Sequence, residues 1–303
     1  MWSLAACNDY MEEVETGTQS ASETGMSTTA TTTTTNGMDG LDSTGVATGN
    51  EGESGGGAGL VARGLLVRYF IDDSNGDAVV DQLADAAPDP LALPILYPND
   101  PEQMEFVEDG GNKGLRWREH SLNGMARVNI AGTKISSALD GAGQVTVELV
   151  IDPEGVGPDG FTSRFMHLGA SDSRGRLMLG STTAEGLRFR LNDSTVMEWE
   201  APVGALERTV VHLVLDTSAE SAIERARVFL DGELQQPYDV GGPAPGETID
   251  LRDGDVFVLG NLGSGGRSVA GAIYYAAIYD VAFDAEEIAH NVTRLSTDDD
   301  TQP

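Results

Sequence analysis

The sequence predicts an all-β fold, two antiparallel sheets packed face to face as a sandwich and joined by one short helix near the carboxy terminus. Three observations predict it. Short apolar runs recur from Leu65 to Tyr279, several of them alternating apolar with polar residues, the signature of strands buried on one side. Thirty-eight glycines punctuate those runs with residues that accept turn geometry. After Phe283 the period changes from two to that of a helix.

Leu65-Leu66-Val67-Arg68-Tyr69-Phe70 opens the domain. From Gln144 to Ile151 the chain alternates so that Val145, Val147, Leu149 and Ile151 share one face. Between Gly186 and Leu191 the apolar set is again every second residue, so Leu187, Phe189 and Leu191 face a core. Val210 to Leu215 is apolar nearly throughout, as a strand covered on both sides would be, and ends at Asp216. Ala226 to Leu234 carries Asp231-Gly232 between apolar flanks, and a type I′ turn needs positive φ at both central residues, so this segment predicts a tight hairpin. Val256 to Gly260 and Ala272 to Tyr279 supply two later strands. Asp284-Ala285-Glu286-Glu287-Ile288 starts the helix: Asp284 accepts from free amides, Glu287 completes a capping box, and Ile288, Val292 and Leu295 form the apolar stripe.

The order of Val145 to Pro153, Arg227 to Gly232, Val256 to Asn261, Gly271 to Tyr279 and Phe283 to Ile288 resembles the laminin G-like jelly-roll family of the concanavalin A-like lectin/glucanase fold. That resemblance implies a two-sheet antiparallel jelly-roll sandwich with a short carboxy-terminal helix, spanning residues 63–296, and ligand loops at one rim or on a concave face. Two departures from the family pattern stand out. Arg208 and Thr209 occupy the usual Trp and His positions, and Tyr274-Tyr275 replaces an acidic pair in the penultimate strand, so no binding residue transfers directly from relatives.

Eighteen Lys and Arg against 49 Asp and Glu give a formal net charge of −31, which repels nucleic-acid phosphates and anionic lipid headgroups and excludes both as partners. Abundant carboxylates also leave calcium open as a cofactor. Asp72-Asp73-Ser74-Asn75-Gly76-Asp77 looks like a calcium loop, but registering Gly76 at its sharp turn puts Ile71 where the first carboxylate belongs, so it reads as a polar turn. With a single cysteine, Cys7, the domain has no internal disulfide and no thiolate zinc site.

Residues 1–7 end in Leu4-Ala5-Ala6-Cys7, which resembles the bacterial lipobox and makes Cys7 the expected lipid attachment site, with the rest of the signal encoded upstream of Met1. Residues 8–62 form a Thr-, Ser- and Gly-rich tether with nine acids and no Lys or Arg before Arg63, too polar to fold alone; residues 297–303 read as an acidic tail.

No catalytic constellation emerges. Glu198-Trp199-Glu200 places two carboxylates at alternate positions beside an aromatic ring, but the third carboxylate of a glucanase strand is missing. His120, His167, His212 and His290 share no metal-ligand spacing, so each is expected to be hydrogen-bonded or exposed. Trp117 and Trp199 are expected in the core, while Asp172, Asn192-Asp193 and Asn261 to Gly266 fall in loops that could reach a rim. With no ligand-binding residue assigned, the expectation is a non-catalytic, lipid-anchored cell-surface module for extracellular polysaccharide or a glycosylated partner. The alternative is a structural or protein-interaction module of the envelope. A glycoside hydrolase or lyase is retained only because the fold hosts such enzymes.

Overall fold

A computed structural model describes residues 59–71, 82–97, 100–155, 157, 161–182, 186–239 and 241–298. Cys7, the tether as far as residue 58 and the Asp72–Asp77 loop lie outside them.

In chain order the strands are β1 (Leu65–Phe70), β2 (Gln82–Leu83), β3 (Leu93–Leu96), β4 (Glu105–Asp109), β5 (Asn112–Trp117) and β6 (Met125–Asn129). Helix α1 (Lys134–Leu139) precedes β7 (Gln144–Pro153), β8 (Arg164–Gly169), β9 (Leu177–Ser181), β10 (Leu187–Leu191), β11 (Thr195–Trp199) and β12 (Thr209–Asp216). After α2 (Ala222–Arg225) come β13 (Ala226–Leu230), β14 (Glu233–Leu234), β15 (Pro237–Asp239), β16 (Val256–Leu259), β17 (Gly271–Tyr279) and α3 (Ala285–Leu295). They form two antiparallel sheets. The first runs β14-β13-β12-β7-β17-β5-β4 with β1 also paired to β17, and the second runs β15-β11-β10-β9-β8-β16-β6-β3-β2.

The core between the sheets is built from the alternation read in the sequence. Val145, Val147, Leu149 and Ile151 of β7 meet Leu187, Phe189 and Leu191 of β10 in one buried cluster, together with both tryptophans. At about 25 cal/mol per Å² of apolar surface removed from water, such side chains contribute roughly 1.5–3 kcal/mol each. Trp117 is fully buried and its indole N–H donates to the Gly124 carbonyl at 2.7 Å. The ring lies against Gly260, whose φ is +75° and where a Cβ would fall 2.2 Å from the indole, so only glycine fits there.

The predicted hairpin and helix both form. Asp231 (φ 48°) and Gly232 (φ 84°) make the two-residue turn between β13 and β14. At α3 the Asp284 carboxylate accepts from the amides of Glu286 and Glu287, and Glu287 returns a carboxylate to the Asp284 amide. The helix lies on the outer face of the first sheet and buries Ile288 and Leu295 against Val210, Val214, Phe229 and Phe283. Most of the remaining strands escape the alternation rule. Every residue of β8 and of β9 is buried, and a bulge in β8 between Arg164 and Met166 turns both Phe165 and Met166 into the core.

Candidate functional site

Two polar clusters stand out, on opposite outer faces of the sandwich. The first lies under α3. Glu148 alternates out of the core side of β7, and its carboxylate takes four hydrogen bonds: His212 Nε2 at 2.8 Å, Asn291 Nδ2 at 2.8 Å, and the hydroxyls of Tyr275 at 3.0 Å and Tyr279 at 2.8 Å. Arg68 donates to both tyrosine hydroxyls at 3.0 Å and to the Val61 carbonyl at 2.7 Å. Burial pushes the Glu148 carboxyl up, but the bonds from His212, Tyr279 and Asn291 outweigh it and hold it below the ordinary carboxylate range. Burial first, and the Glu148 charge second, push both tyrosine hydroxyls well up, so they stay protonated donors.

Tyr275 stands where the family carries an acid, and its hydroxyl reaches a carboxylate supplied from the neighbouring strand. Glu148 and His212 are both fully buried, so this His–Glu pair cannot meet a ligand. It acts as a fastener. Asn291 also accepts from the Val61 amide at 2.9 Å and His290 bonds the Gly59 carbonyl at 2.7 Å, so helix and entering chain are pinned to the same face.

The second cluster is on the outer face of the second sheet. Residues directly opposed in neighbouring strands share a face. The registers of β11, β10, β9, β8, β16 and β6 therefore make one row of Val196, Arg190, Met178, His167, Val258 and Arg127. Glu198, Arg188, Gly180 and Arg164 make the next. The β8 bulge is what brings Arg164 and His167 onto this face together. The 170–174 and 261–266 loops bond to each other through the Ser264 amide and Ser171 carbonyl at 2.7 Å and cover Val256 on its β16 side.

Charge on this face is unbalanced. Arg188 is paired with Glu198, which also accepts from the Tyr238 hydroxyl. Arg164 is 7% exposed; its Nη1 donates to the Arg174 carbonyl at 2.5 Å and its Nε has no partner. Among the described residues, Arg127, Arg164, Arg174, Arg190 and Arg267 form no ion pair with any carboxylate. Arg267 instead lies 4.8 Å from the centroid of the Phe161 ring. Burial, then the neighbouring Arg190 and Arg267, pull the Arg164 guanidinium down to about 10, while burial and then Arg188 and Arg174 lower Arg190. Burial and Arg164 push His167 down to about 4, so it is neutral at pH 7. Two unit charges two residues apart on one strand, ~7 Å, repel by roughly 2 kcal/mol at an effective dielectric constant of ~20.

The residues singled out from sequence are placed differently. Glu198 is held by Arg188 and Tyr238 and Glu200 is exposed past the end of β11, so the two do not face one groove. All four histidines are hydrogen-bonded: His120 to Ser268, His167 to the Ala170 carbonyl, His212 to Glu148, His290 to Gly59. Asn192 and Asp193 form a tight positive-φ turn, with Asp193 tied to the Gly175 amide and Arg176, and buried Asn261 bonds the Leu122 and Gly124 carbonyls. Of the proposed rim residues Asp172 is exposed. Among the described residues no three His, Cys, Asp or Glu side chains converge as metal ligands, and no helix is long and apolar enough to cross a membrane.

The arginine face was missed by the sequence reading, although a signal was there. Between residues 164 and 190 stand five arginines (164, 174, 176, 188 and 190) against two acids, Asp172 and Glu185, a local reversal of sign in a chain of net −31.

The molecule is a two-sheet jelly-roll sandwich in which α3 covers one outer face and the other carries partly exposed arginines around the buried Met178, His167 and Val258. Residues 128–289 match the Laminin G 3 family, described as concanavalin A-like lectin/glucanases superfamily, and the chain belongs to it. No curated protein matches. Among solved structures, the binding domain of botulinum neurotoxin DC in complex with rat synaptotagmin II aligns with a TM-score of 0.54 at 9% identity, over 77% of this chain and 52% of that one. Trypanosoma rangeli sialidase in complex with sialic acid aligns at 0.49 and 14% identity over 77% of this chain, which spans about a third (33%) of the sialidase. Domain 4 of AbnA, a GH43 extracellular arabinanase from Geobacillus stearothermophilus, in complex with arabinotriose, aligns at 0.46 and 16% identity over 77% of this chain and 100% of that one.

Proposed function

We propose that this protein is a non-catalytic surface module that binds extracellular polysaccharide or a glycosylated partner through the outer face of its second sheet, and that Cys7 carries the lipid that anchors it. The observation that carries the reading is the asymmetry of the two outer faces. The first sheet is closed by α3 and the fully buried Glu148 network, whereas the second presents partly exposed Arg188 and Arg190 beside Tyr238, whose residue is 46% exposed. Planar guanidinium groups beside an aromatic ring suit sugar hydroxyls and ring faces. Glu198, fixed by Arg188 and Tyr238, supports a positioning role rather than acid catalysis.

A glycan array run with calcium and with chelator tests the binding; signal in either condition that disappears in the R188Q/R190Q variant is expected, and its persistence would move the site elsewhere. Calcium-dependent signal would place the ion as a cofactor. A protein partner is favoured by the exposed Leu96 (38%) and Tyr97 (49%) at the end of β3, and an empty array together with a partner crosslinked at Tyr97 would establish that second reading. For the anchor, palmitate labelling of the gene expressed with its upstream region is expected to vanish in Cys7→Ser; equal labelling of both would overturn it.

A further inference from the structure

We propose that the arginine face selects acidic polysaccharide, a sugar chain carrying carboxylate or sulfate groups at intervals, over neutral glycan. This rests on the reading of that face as the binding surface and adds the ligand's charge to it.

Five arginines without a carboxylate partner among the described residues, drawn from β6, β8, β10 and the loops after β8 and β16, converge on one side of one sheet. The rest of the molecule has acids to spare, so leaving these guanidinium groups unmatched is a local departure from a chain with 49 Asp and Glu. Arg164 is the most telling member. At 7% exposure with an unpartnered Nε, it is a charge held in place by the Arg174 carbonyl, with Arg190, Arg267 and Arg188 acting against it and Asp193 partly offsetting them. Buried as it is, Arg164 adds to the positive potential over the face, and exposed Arg174 with partly exposed Arg127, Arg190 and Arg267 are the guanidinium groups that a carboxylate or sulfate can reach and pair with. Among the arginines without a carboxylate, Arg190 and Arg164 are two strands and one same-face step apart, roughly 12 Å. That spacing suits charges carried about once per disaccharide. Duplex DNA, with one charge per ~1.7 Å, would bring far more negative charge against a protein of net −31 than five arginines neutralise. Arg267 over Phe161 provides a further cation beside an aromatic face for a pyranose ring.

The test uses the full chain and isothermal titration calorimetry against polygalacturonate, its fully methyl-esterified form, chondroitin sulfate, dextran and duplex DNA, at low and at physiological salt. Binding to polygalacturonate or chondroitin sulfate is expected, weakened at least about tenfold by Arg174→Gln with Arg190→Gln and by methyl esterification, and reduced by salt. Arg174 is exposed and Arg190 partly so, and circular dichroism with a thermal melt confirms that the variant folds; should it not, Arg174→Gln alone replaces it. Equal binding of the esterified polymer or of dextran would overturn the charge selectivity while leaving the glycan reading intact. DNA bound as tightly as the acidic glycans would overturn it in favour of a general anion surface. No binding to any glycan would overturn both.

Discussion

Glu148→Gln isolates the buried network from everything else in the fold. The substitution keeps shape and removes one charge and two acceptor lone pairs. Its amide oxygen still accepts from Tyr275 and Tyr279, but its NH2 then faces two donors, His212 Nε2 and Asn291 Nδ2, each 2.8 Å from the oxygen it replaces. Arg68, 5% exposed and bonded to both tyrosines, loses the one carboxylate of the network. Removing one member of a buried, hydrogen-bonded charge pair costs about 3–5 kcal/mol, which for a domain of this size lowers Tm by roughly 6–20 °C. Urea unfolding followed by tryptophan fluorescence measures it, since Trp117 and Trp199 are both fully buried. Hydrogen exchange on the same variant is expected to show residues 285–295 opening first, because Asn291 has lost its anchor. A loss below about 1 kcal/mol would refute the claim that this network fastens the helix. The pH dependence follows from the same group: its folded-state pKa is depressed, so its stabilisation is present above the unfolded value and is lost as pH falls through the folded one, below about pH 4.

His167 titrates to about 4 in the folded state against an ordinary 6.5, so acidification from pH 6.5 towards 4 protonates the unfolded chain first and removes up to about 3 kcal/mol of stability; His167→Gln is expected to flatten that segment of a stability–pH curve, and an unchanged slope would contradict it. Arg190→Gln relieves like-charge repulsion and is expected to raise stability by about 0.5–1 kcal/mol at low salt, with the gain shrinking at high salt; destabilisation in urea titration would show that Arg190 is structurally paired. Gly260→Ala forces a positive φ on a Cβ residue and a clash with Trp117, with an expected loss of about 3 kcal/mol or more by thermal melt, and a near-neutral result would mean the turn can relax.

Alternation made β7 and β10 legible, Asp231-Gly232 marked its hairpin, and the Asp284–Glu287 box marked α3, because in each case local chemistry and tertiary packing demand the same residue types. β8 and β9 were not legible: both are buried along their whole length, and the bulge at Phe165-Met166 breaks the period. The candidate site failed to appear for a related reason. Arg188 and Arg190 stand on the face opposite Leu187, Phe189 and Leu191, visible as the wet side of one strand, but their company depends on pairings with Met178, Gly180 and Arg164 that no local pattern encodes. The buried His212–Glu148 pair was equally hidden, being 64 residues apart in sequence and joined only by the register of β7 with β12.

Hydrogen-exchange mass spectrometry of the full chain, with and without polygalacturonate, tests most directly which face binds. Protection confined to peptides covering residues 127, 164–190 and 267, with 285–295 unchanged, is the expected result; protection under α3, or along β3 at Leu96 and Tyr97, would contradict it.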